Sequence, residues 1–294
     1  MNASPGWMPA KEDDDRLDAA AIEQETPSVA WDRLSVIGFS EIGSTNDEAL
    51  KRVREGAPTG LLVFAEHQTA GKGRKGRSWA SPPGSGLCFS LVVHPASPRR
   101  HWPLLSLLTS VAVARSLEEL PGRGITRGSL RVDLKWPNDV LLSGKKVAGI
   151  LIETADSSGG SGAAVVGVGV NVGIDSVPPG MEDSATSVSR EAGTGVPRRA
   201  LLVAFLRHFQ QEYLLFERGE RQAILEHWKT ASSMWNGARV RLCEGDTWRE
   251  ATTCGLSESG AMRVRLPDGS EETVLAADVS LRHNDWDCPE LEHG

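Results

Sequence analysis

Four short stretches of this 294-residue chain combine residue types suited to chemistry on anions. The first, 66–79, reads Glu-His-Gln-Thr-Ala-Gly-Lys-Gly-Arg-Lys-Gly-Arg-Ser-Trp. It interleaves three glycines, Gly71, Gly73 and Gly76, with four cations, Lys72, Arg74, Lys75 and Arg77. Glycine lets backbone N–H groups approach a ligand closely, and Lys and Arg supply charge-assisted hydrogen bonds to an anion with several oxygens. The spacing is neither G-x-x-x-x-G-K-[ST] nor a G-x-G-x-x-G that opens a helix, so a Walker loop and a dinucleotide fold are both excluded. The stretch reads as a mobile anion-binding loop, with a solvated basic surface loop as the alternative.

In the second and third stretches, a strand ending at Lys135 turns through Trp136-Pro137-Asn138-Asp139 and returns through Lys146. That path would bring two ammonium groups and a carboxylate together. Such a set suits phosphate with Mg2+, an ion usually held by one or two carboxylates and the substrate's own phosphates. Pro followed by Asn-Asp is also ordinary turn chemistry. In the fourth, Gly167-Val168-Gly169-Val170-Asn171-Val172, glycines at alternate positions leave one face of a strand bare, either as a twist device or as a flat wall for a ligand. Upstream of all of them, Ser44-Thr45-Asn46 precedes a helix. Thr45 and Glu48 have the spacing of a capping box, and the spare donors of a helix start could also read a polar ligand edge.

The elements that must position these residues are those of a mixed α/β domain. From Trp31 to about Met234, runs rich in Val, Ile and Leu alternate with helical stretches and Gly-rich turns. Strands are expected at 61–66, 87–93, 130–135, 147–154 and 163–172, and helices at 46–55, 102–119, 198–217 and 221–229. In the second helix, Leu104, Leu105, Leu108, Val111, Ala112 and Leu117 recur at roughly helical spacing, which predicts one face packed on the sheet. The Ser-Gly run 157–162 reads as a hairpin loop. After Gly237, short alternating strands at 238–242, 249–256, 262–266 and 272–275 predict a small β-barrel. Residues 1–30, acidic and poor in apolar surface, read as a solvated tail. The expected divisions are therefore 1–30, 31–234, 235–283 and a terminal 284–294.

Composition narrows the function. With 39 Asp+Glu against 32 Lys+Arg the formal net charge is -7, which argues against a protein that coats nucleic acid and leaves room only for a local basic site. No apolar run of about 18 residues and no apolar signal core is present, so no membrane association and a cytoplasmic location are expected. Cys88, Cys243, Cys254 and Cys288 form no C-x-x-C pair and read as unpaired thiols.

Taken together and in this order, the four segments resemble the biotin protein ligase family, over about 31–283. The family's Gly-Arg-Gly-Arg-x-Gly-Arg-x-Trp signature is similar to 71–79, its Lys-Trp-Pro-Asn-Asp to 135–139, its Lys-x-Ala-Gly-Ile to 146–150 and its Gly-x-Gly-x-Asn to 167–171. One departure stands at Lys72, where the signature has arginine: the charge is kept and the planar fork is lost. The resemblance implies a mixed sheet of the class II aminoacyl-tRNA synthetase and biotin synthetase type, with an SH3-like C-terminal barrel. It also implies formation of biotinyl-5′-AMP from biotin and ATP with Mg2+, then transfer to one lysine of a biotin carboxyl carrier domain.

Carried over, Ser44, Thr45, Asn46 and Gln68 would address the ureido head of biotin, and the backbone of Lys72, Gly73 and Arg74 would close over it. Lys146 would lie between the biotin carboxyl and the α-phosphate, Lys135 toward the other phosphates, and Asp139 on Mg2+. Trp79 would cover adenine and Asn171 would bond it, with Arg74, Arg77, Asn138 and Arg282 toward the nucleotide and Gly167 and Gly169 clearing space for the valeryl chain. The rival readings are lipoyl or octanoyl transfer on the same fold, a biotin-binding module without chemistry, and a ligase that doubles as a repressor. For the last, the acidic 1–30 has the wrong size and sign to grip DNA. An exposed face of the central sheet would support a homodimer.

Overall fold

The computed structural model describes residues 15–120, 130–156, 162–244, 247–275 and 280–283. In chain order, α1 (Ala19–Glu25), β1 (Ser35–Phe39), α2 (Thr45–Arg54), β2 (Leu61–Ala65) and β3 (Gly86–Val93) are followed by α3 (Leu104–Glu118). Then come β4 (Val132–Lys135), β5 (Asp139–Leu142), β6 (Lys145–Asp156), β7 (Gly162–Asn171), α4 (Val188–Ala192), α5 (Arg198–Glu217) and α6 (Arg221–Thr230). The expected strands and helices of this part are found within two residues at each end. Two strands escaped the sequence reading. β1 contains a glycine, Gly38, and a single buried side chain, and β5 begins at the last residue of the expected turn.

The strands form a seven-stranded sheet in the order β1-β2-β3-β7-β6-β5-β4, parallel between β1 and β2 and antiparallel elsewhere. β2, β3 and β7 are buried almost throughout, because α2 covers one face while α3 and α5 cover the other. Layers on both faces explain why these strands read as continuous apolar runs. On the α2 side, Ala49 and Val53 pack on Leu61, Val63, Val92, Ala163 and Val165. Helix α3 is buried on nearly every side, not on one face as expected, since it lies between the sheet and α5 and α6. Its hydroxyls survive there by bonding back to its own turns: Thr109 donates to the Leu105 carbonyl, Ser110 to Leu107 and Ser116 to Val113.

Two further expectations are corrected. The stretch 1–30 is not wholly a solvated tail: Leu17 and Ile22 join the core, and α1 is capped by Asp18. Arg198, 3% exposed, holds this segment through Asp15, whose carboxylate accepts from its N–H at 2.7 Å and its Nε at 2.8 Å, and it also bonds Glu66. A few apolar contacts suffice where a buried guanidinium waits for a carboxylate. Residues 1–14, the 284–294 tail, Cys288 and the 157–161 part of the hairpin loop lie outside the described residues.

The expected barrel is an open antiparallel sheet. β8 (Asn236–Glu244), β9 (Thr247–Leu256), β10 (Met262–Arg265), β11 (Glu271–Val274) and β12 (Ser280–His283) run in the order β11-β10-β9-β8-β12. β11 and β12 are four residues each and pair only inward, with β10 and β8, so among the described residues no ladder closes the sheet. This sheet touches the larger one at a tight turn: Trp136 Nε1 donates to the Gly260 carbonyl at 3.0 Å. At φ +81°, and with Leu104 and Leu107 at 2.9 and 2.8 Å from where a Cβ would sit, position 260 tolerates only glycine.

Candidate active site

The chemistry-bearing residues line up across the sheet. Lys135 on β4 opposes Asp139 on β5, Asp139 opposes Gly149 on β6, Gly149 opposes Gly169 on β7, and Gly169 opposes Cys88 on β3. Directly opposed residues share a face, here the α2 side. The next row, roughly 7 Å along the strands, runs Leu151, Gly167, Ser90 and Val63.

Lys146 reaches this face through a bulge. Strand alternation alone would send Lys146 and Gly149, three apart, to opposite sides. The register slips where Val140 pairs with Ala148 but Leu141 pairs with Lys146, and the extra residue turns Lys146 back onto the face of Asp139. Lys146 Nζ then lies 2.6 Å from Asp139 Oδ1 and 5.6 Å from the centre of the Trp79 ring. The bulge is held from outside, with Lys146 N donating to the Ser184 carbonyl and Thr186 N donating to that of Lys146.

The cationic loop folds as a small hairpin over the other end. Gly73 N donates to the Arg77 carbonyl and Trp79 N to that of Gly71. Lys75 and Gly76 at the tip both adopt positive φ, 56° and 72°. Side-chain tethers hold it, among them Arg74 Nη1 donating to Asn138 Oδ1 at 2.9 Å and Lys72 Nζ to Asp47 Oδ1 at 2.5 Å. Burial lowers the Arg74 pKa, with the charge of Asp139 opposing, yet a guanidinium stays protonated. The Lys72 pKa is raised, chiefly by its hydrogen bond to Asp47 and further by the charge of Glu153. Both partners of the Lys72 pair are about half exposed, so this tether contributes at most about 1 kcal/mol and can be released. Between loop and sheet lies a cleft of about 550 Å3 bounded by Lys72, Arg74, Arg77, Leu151 and Glu153.

The Trp79 ring lies against the glycine row. A Cβ at Gly169 would sit 2.4 Å from the indole and one at Gly149 3.1 Å from it, so the bare faces make room for this ring. Its Nε1 is buried on the face that also carries Cys88. Gly167 likewise makes room for Asn46, whose Oδ1 would be 2.2 Å from a Cβ there.

The start of α2 completes the site. The cap is Ser44, whose hydroxyl accepts from Asp47 N, and not the expected Thr45 with Glu48; Glu48 is drawn off by Arg52 at 2.6 Å. Thr45, freed from capping, donates from N and Oγ1 to Gln68 Oε1 at 2.8 and 3.0 Å. Asn46 Nδ2 donates to Glu153 Oε2 at 2.7 Å, and Ser90 Oγ donates to Asn46 Oδ1 at 2.5 Å. Thr45, Asn46 and Ser90 are all buried. Gln68 is brought beside them because Ile42 bridges to it in continuation of the β1–β2 pairing.

The structure thus brings together Ser44, Thr45, Asn46, Gln68, Lys72, Gly73, Arg74, Trp79, Asn138, Asp139, Lys146, Gly167 and Gly169, with Lys135 at the end of the row and Arg77 on the loop. Asn171, buried at the end of β7, donates to the Thr186 carbonyl at 3.2 Å and so steadies the segment behind Lys146. Arg282 lies on β12 opposite Arg241, in the smaller sheet. Sequence reasoning missed Ser90 and Glu153. Ser90 carried no signal, whereas Glu153 ends an otherwise apolar run (147–152) and could have been flagged as a carboxylate in a buried strand. Cys88 shares the row, but burial pushes its thiol up to about 11, so it is no nucleophile near neutrality. Cys88, Cys243 and Cys254 are free thiols. Among the described residues no group of three His, Cys, Asp or Glu could hold a metal ion, and no helix is long and apolar enough to cross a membrane.

Such a face, with a basic flap, one Lys-Asp pair and a polar pocket, suits a ligand with a polar head and an acid tail beside a phosphate. Comparison with known proteins agrees. The model of the biotin/lipoate A/B protein ligase family matches residues 39–171, from the end of β1 to the end of β7. The bifunctional ligase/repressor BirA of Bacillus subtilis is 32% identical over 243 residues, 82% of this chain and 72% of that protein. The biotin–[acetyl-CoA-carboxylase] ligase of Mycobacterium tuberculosis is 35% identical over 215 residues, 72% of this chain and 75% of that protein. The structure of biotin protein ligase from Aquifex aeolicus in complex with biotin and ATP matches with a TM-score of 0.69 at 27% identity, over 84% of this chain and 98% of that one. With the row of motif residues lying inside the matched segment, the chain belongs to the biotin/lipoate A/B protein ligase family.

Proposed function

We propose that this chain is an ATP-dependent biotin protein ligase. A biotin carboxylate oxygen attacks the α-phosphorus of ATP, the bond to pyrophosphate breaks, and biotinyl-5′-AMP forms. A lysine amine of a biotin carboxyl carrier domain, such as that of acetyl-CoA carboxylase, then attacks the acyl carbon, loses a proton and expels AMP. The observation that carries this reading is the placement of Lys146 and Asp139 at one end of the glycine-cleared strip and of Thr45, Asn46 and Gln68 at the other, on one face.

No protein nucleophile is required. The barrier comes from bringing an anion to an anionic phosphate, so the protein positions the reactants and cancels their repulsion. Lys146, adjacent to the Trp79 ring, supplies the charge between carboxylate and α-phosphate, and Arg74 and Lys135 supply more around it. Mg2+ would offset the phosphate charges, with Asp139 as the residue to hold it. Asp139 is the carboxylate of the row, and one carboxylate with substrate phosphates is a usual donor set for that ion. Trp79 walls the strip at Gly149 and Gly169. The loop 71–79, lightly tethered at Lys72, opens to admit substrates and closes to keep water from the mixed anhydride. A cytoplasmic location and no binding to DNA belong to the same proposal, the latter supported by the net charge of -7.

The test is incubation with ATP, Mg2+, biotin and a carrier domain, followed by intact mass measurement of the carrier. A gain of one biotinyl group that requires all three small molecules is expected. Lipoate in place of biotin should leave the carrier mass unchanged, and modification with lipoate alone would replace this reading by lipoyl transfer.

A further inference from the structure

We propose that Glu153 is a positioning residue for the head end of the site: by holding Asn46 Nδ2 it turns Asn46 Oδ1 toward the cleared strip, as an acceptor for the N–H donors of a cyclic urea. The inference rests on the biotin-ligase reading. A side-chain amide can be seated in two ways that differ by exchange of its oxygen and nitrogen. Here Glu153, which can only accept, selects one of them, and the Ser90 hydroxyl, able to donate or accept and also bonded to Thr45 Oγ1, conforms to it. Glu153 Oε2, an acceptor, takes Asn46 Nδ2 at 2.7 Å, and Ser90 Oγ donates to Asn46 Oδ1 at 2.5 Å. The reversed amide would set a carbonyl against a carboxylate. Glu153 opposes Val165, a residue of the apolar cluster under α2, so its carboxylate occupies a row that packing alone would fill with another aliphatic side chain.

Asn46 also lies flat on the strand at Gly167, with no room for a side chain beneath it. Its Oδ1 is therefore placed by three neighbours, Glu153, Ser90 and the bare backbone of Gly167. Lys146, the cation for the acid end, brings its Nζ against Gly149, four residues before Glu153 on β6 and roughly 13 Å away along the strand. Glu153 thus acts through Asn46 on recognition of the head, at the opposite end of the strip from Lys146 and Asp139.

Biotin-dependent pyrophosphate exchange tests this with a double-mutant cycle. Glu153→Ala should raise KM for biotin roughly 10-fold or more, as expected for freeing a charge-assisted hydrogen bond. Its kcat and its KM for ATP should stay within about two-fold of wild type, the pattern of lost ground-state binding. Glu153→Gln, which keeps an acceptor oxygen, should recover most of the loss. Combined with Asn46→Ala, Glu153→Ala should add little, because both act through one contact. Glu153→Leu, similar in volume, should give the same split and serves if the alanine variant is too unstable to assay. Equal increases in both KM values, an unchanged KM for biotin, or fully multiplicative losses in the cycle would overturn the role of Glu153. A wild-type protein without biotin-dependent exchange would instead overturn the ligase reading on which it rests.

Discussion

On the proposed reading, replacing Lys146 by alanine removes the cation between the two reacting anions. Its Nζ is 2.6 Å from Asp139 Oδ1, with the side chains 33% and 20% exposed, so the pair is open enough to water to add little to folding. A partly exposed ion pair is worth about 0–1 kcal/mol, which in a domain of this size is about 2–4 °C in Tm at most. The loss in catalysis is far larger. One preorganised contact to developing charge contributes about 3–4 kcal/mol, or roughly two to three orders of magnitude in rate. Removing the lysine also takes the nearest cation from Asp139, which faces the incoming phosphates, and this adds to the loss. Pyrophosphate exchange with biotin, ATP and Mg2+ reads adenylate formation directly, and a thermal melt on the same preparation reads stability. We expect exchange to fall about 100- to 1000-fold with little change in Tm. An unchanged exchange rate would refute the assignment of Lys146. A Tm loss large enough to unfold the variant at assay temperature would refute the claim that its role is electrostatic and not structural.

Arg74→Gly removes the tether to Asn138, so the loop should release biotinyl-5′-AMP and bystander proteins should be biotinylated; bystander labelling equal to wild type would reject the closure reading. Gly169→Ala would set a Cβ 2.4 Å from the Trp79 ring, an overpacking that costs about 1–3 kcal/mol, and should lower Tm while raising KM for biotin in the exchange assay. Because burial pushes the Cys88 thiol up to about 11, its neutral form dominates below that pH. Iodoacetamide at pH 8 should therefore spare Cys88 in the native protein and modify it once the chain is unfolded, as read by peptide mass mapping.

The residues of the candidate site were legible because chemistry on anions calls for particular residue types, and Gly71 to Trp79, Lys135 to Asp139, Lys146 and Gly167 to Asn171 carry them in short runs. Their elements were legible too, since the strands around the glycines are runs of small and branched apolar residues and the helical segments are long and free of internal Pro and Gly. The capping pattern at Thr45 misled because Ser44 competes for the same role and Arg52 takes Glu48. The acidic N-terminal stretch misled because composition averages conceal Leu17 and Ile22, and because the partner of Asp15, Arg198, lies far along the chain.

The amino-acid order by itself determined which groups are present, the alternation of strand and helix, and the bareness of one face at Gly149, Gly167 and Gly169. Only the tertiary structure decided that the bulge at Val140 and Leu141 turns Lys146 toward Asp139, that Trp79 lies on Gly149 and Gly169, and that Glu153 and Ser90 seat Asn46. The same holds for the terminal strands, which leave the smaller sheet open. Local propensity and periodicity act over a few residues. Strand register, bulges and cross-strand contacts depend on pairings between segments distant in sequence, and their free energy is settled by how the whole sheet packs.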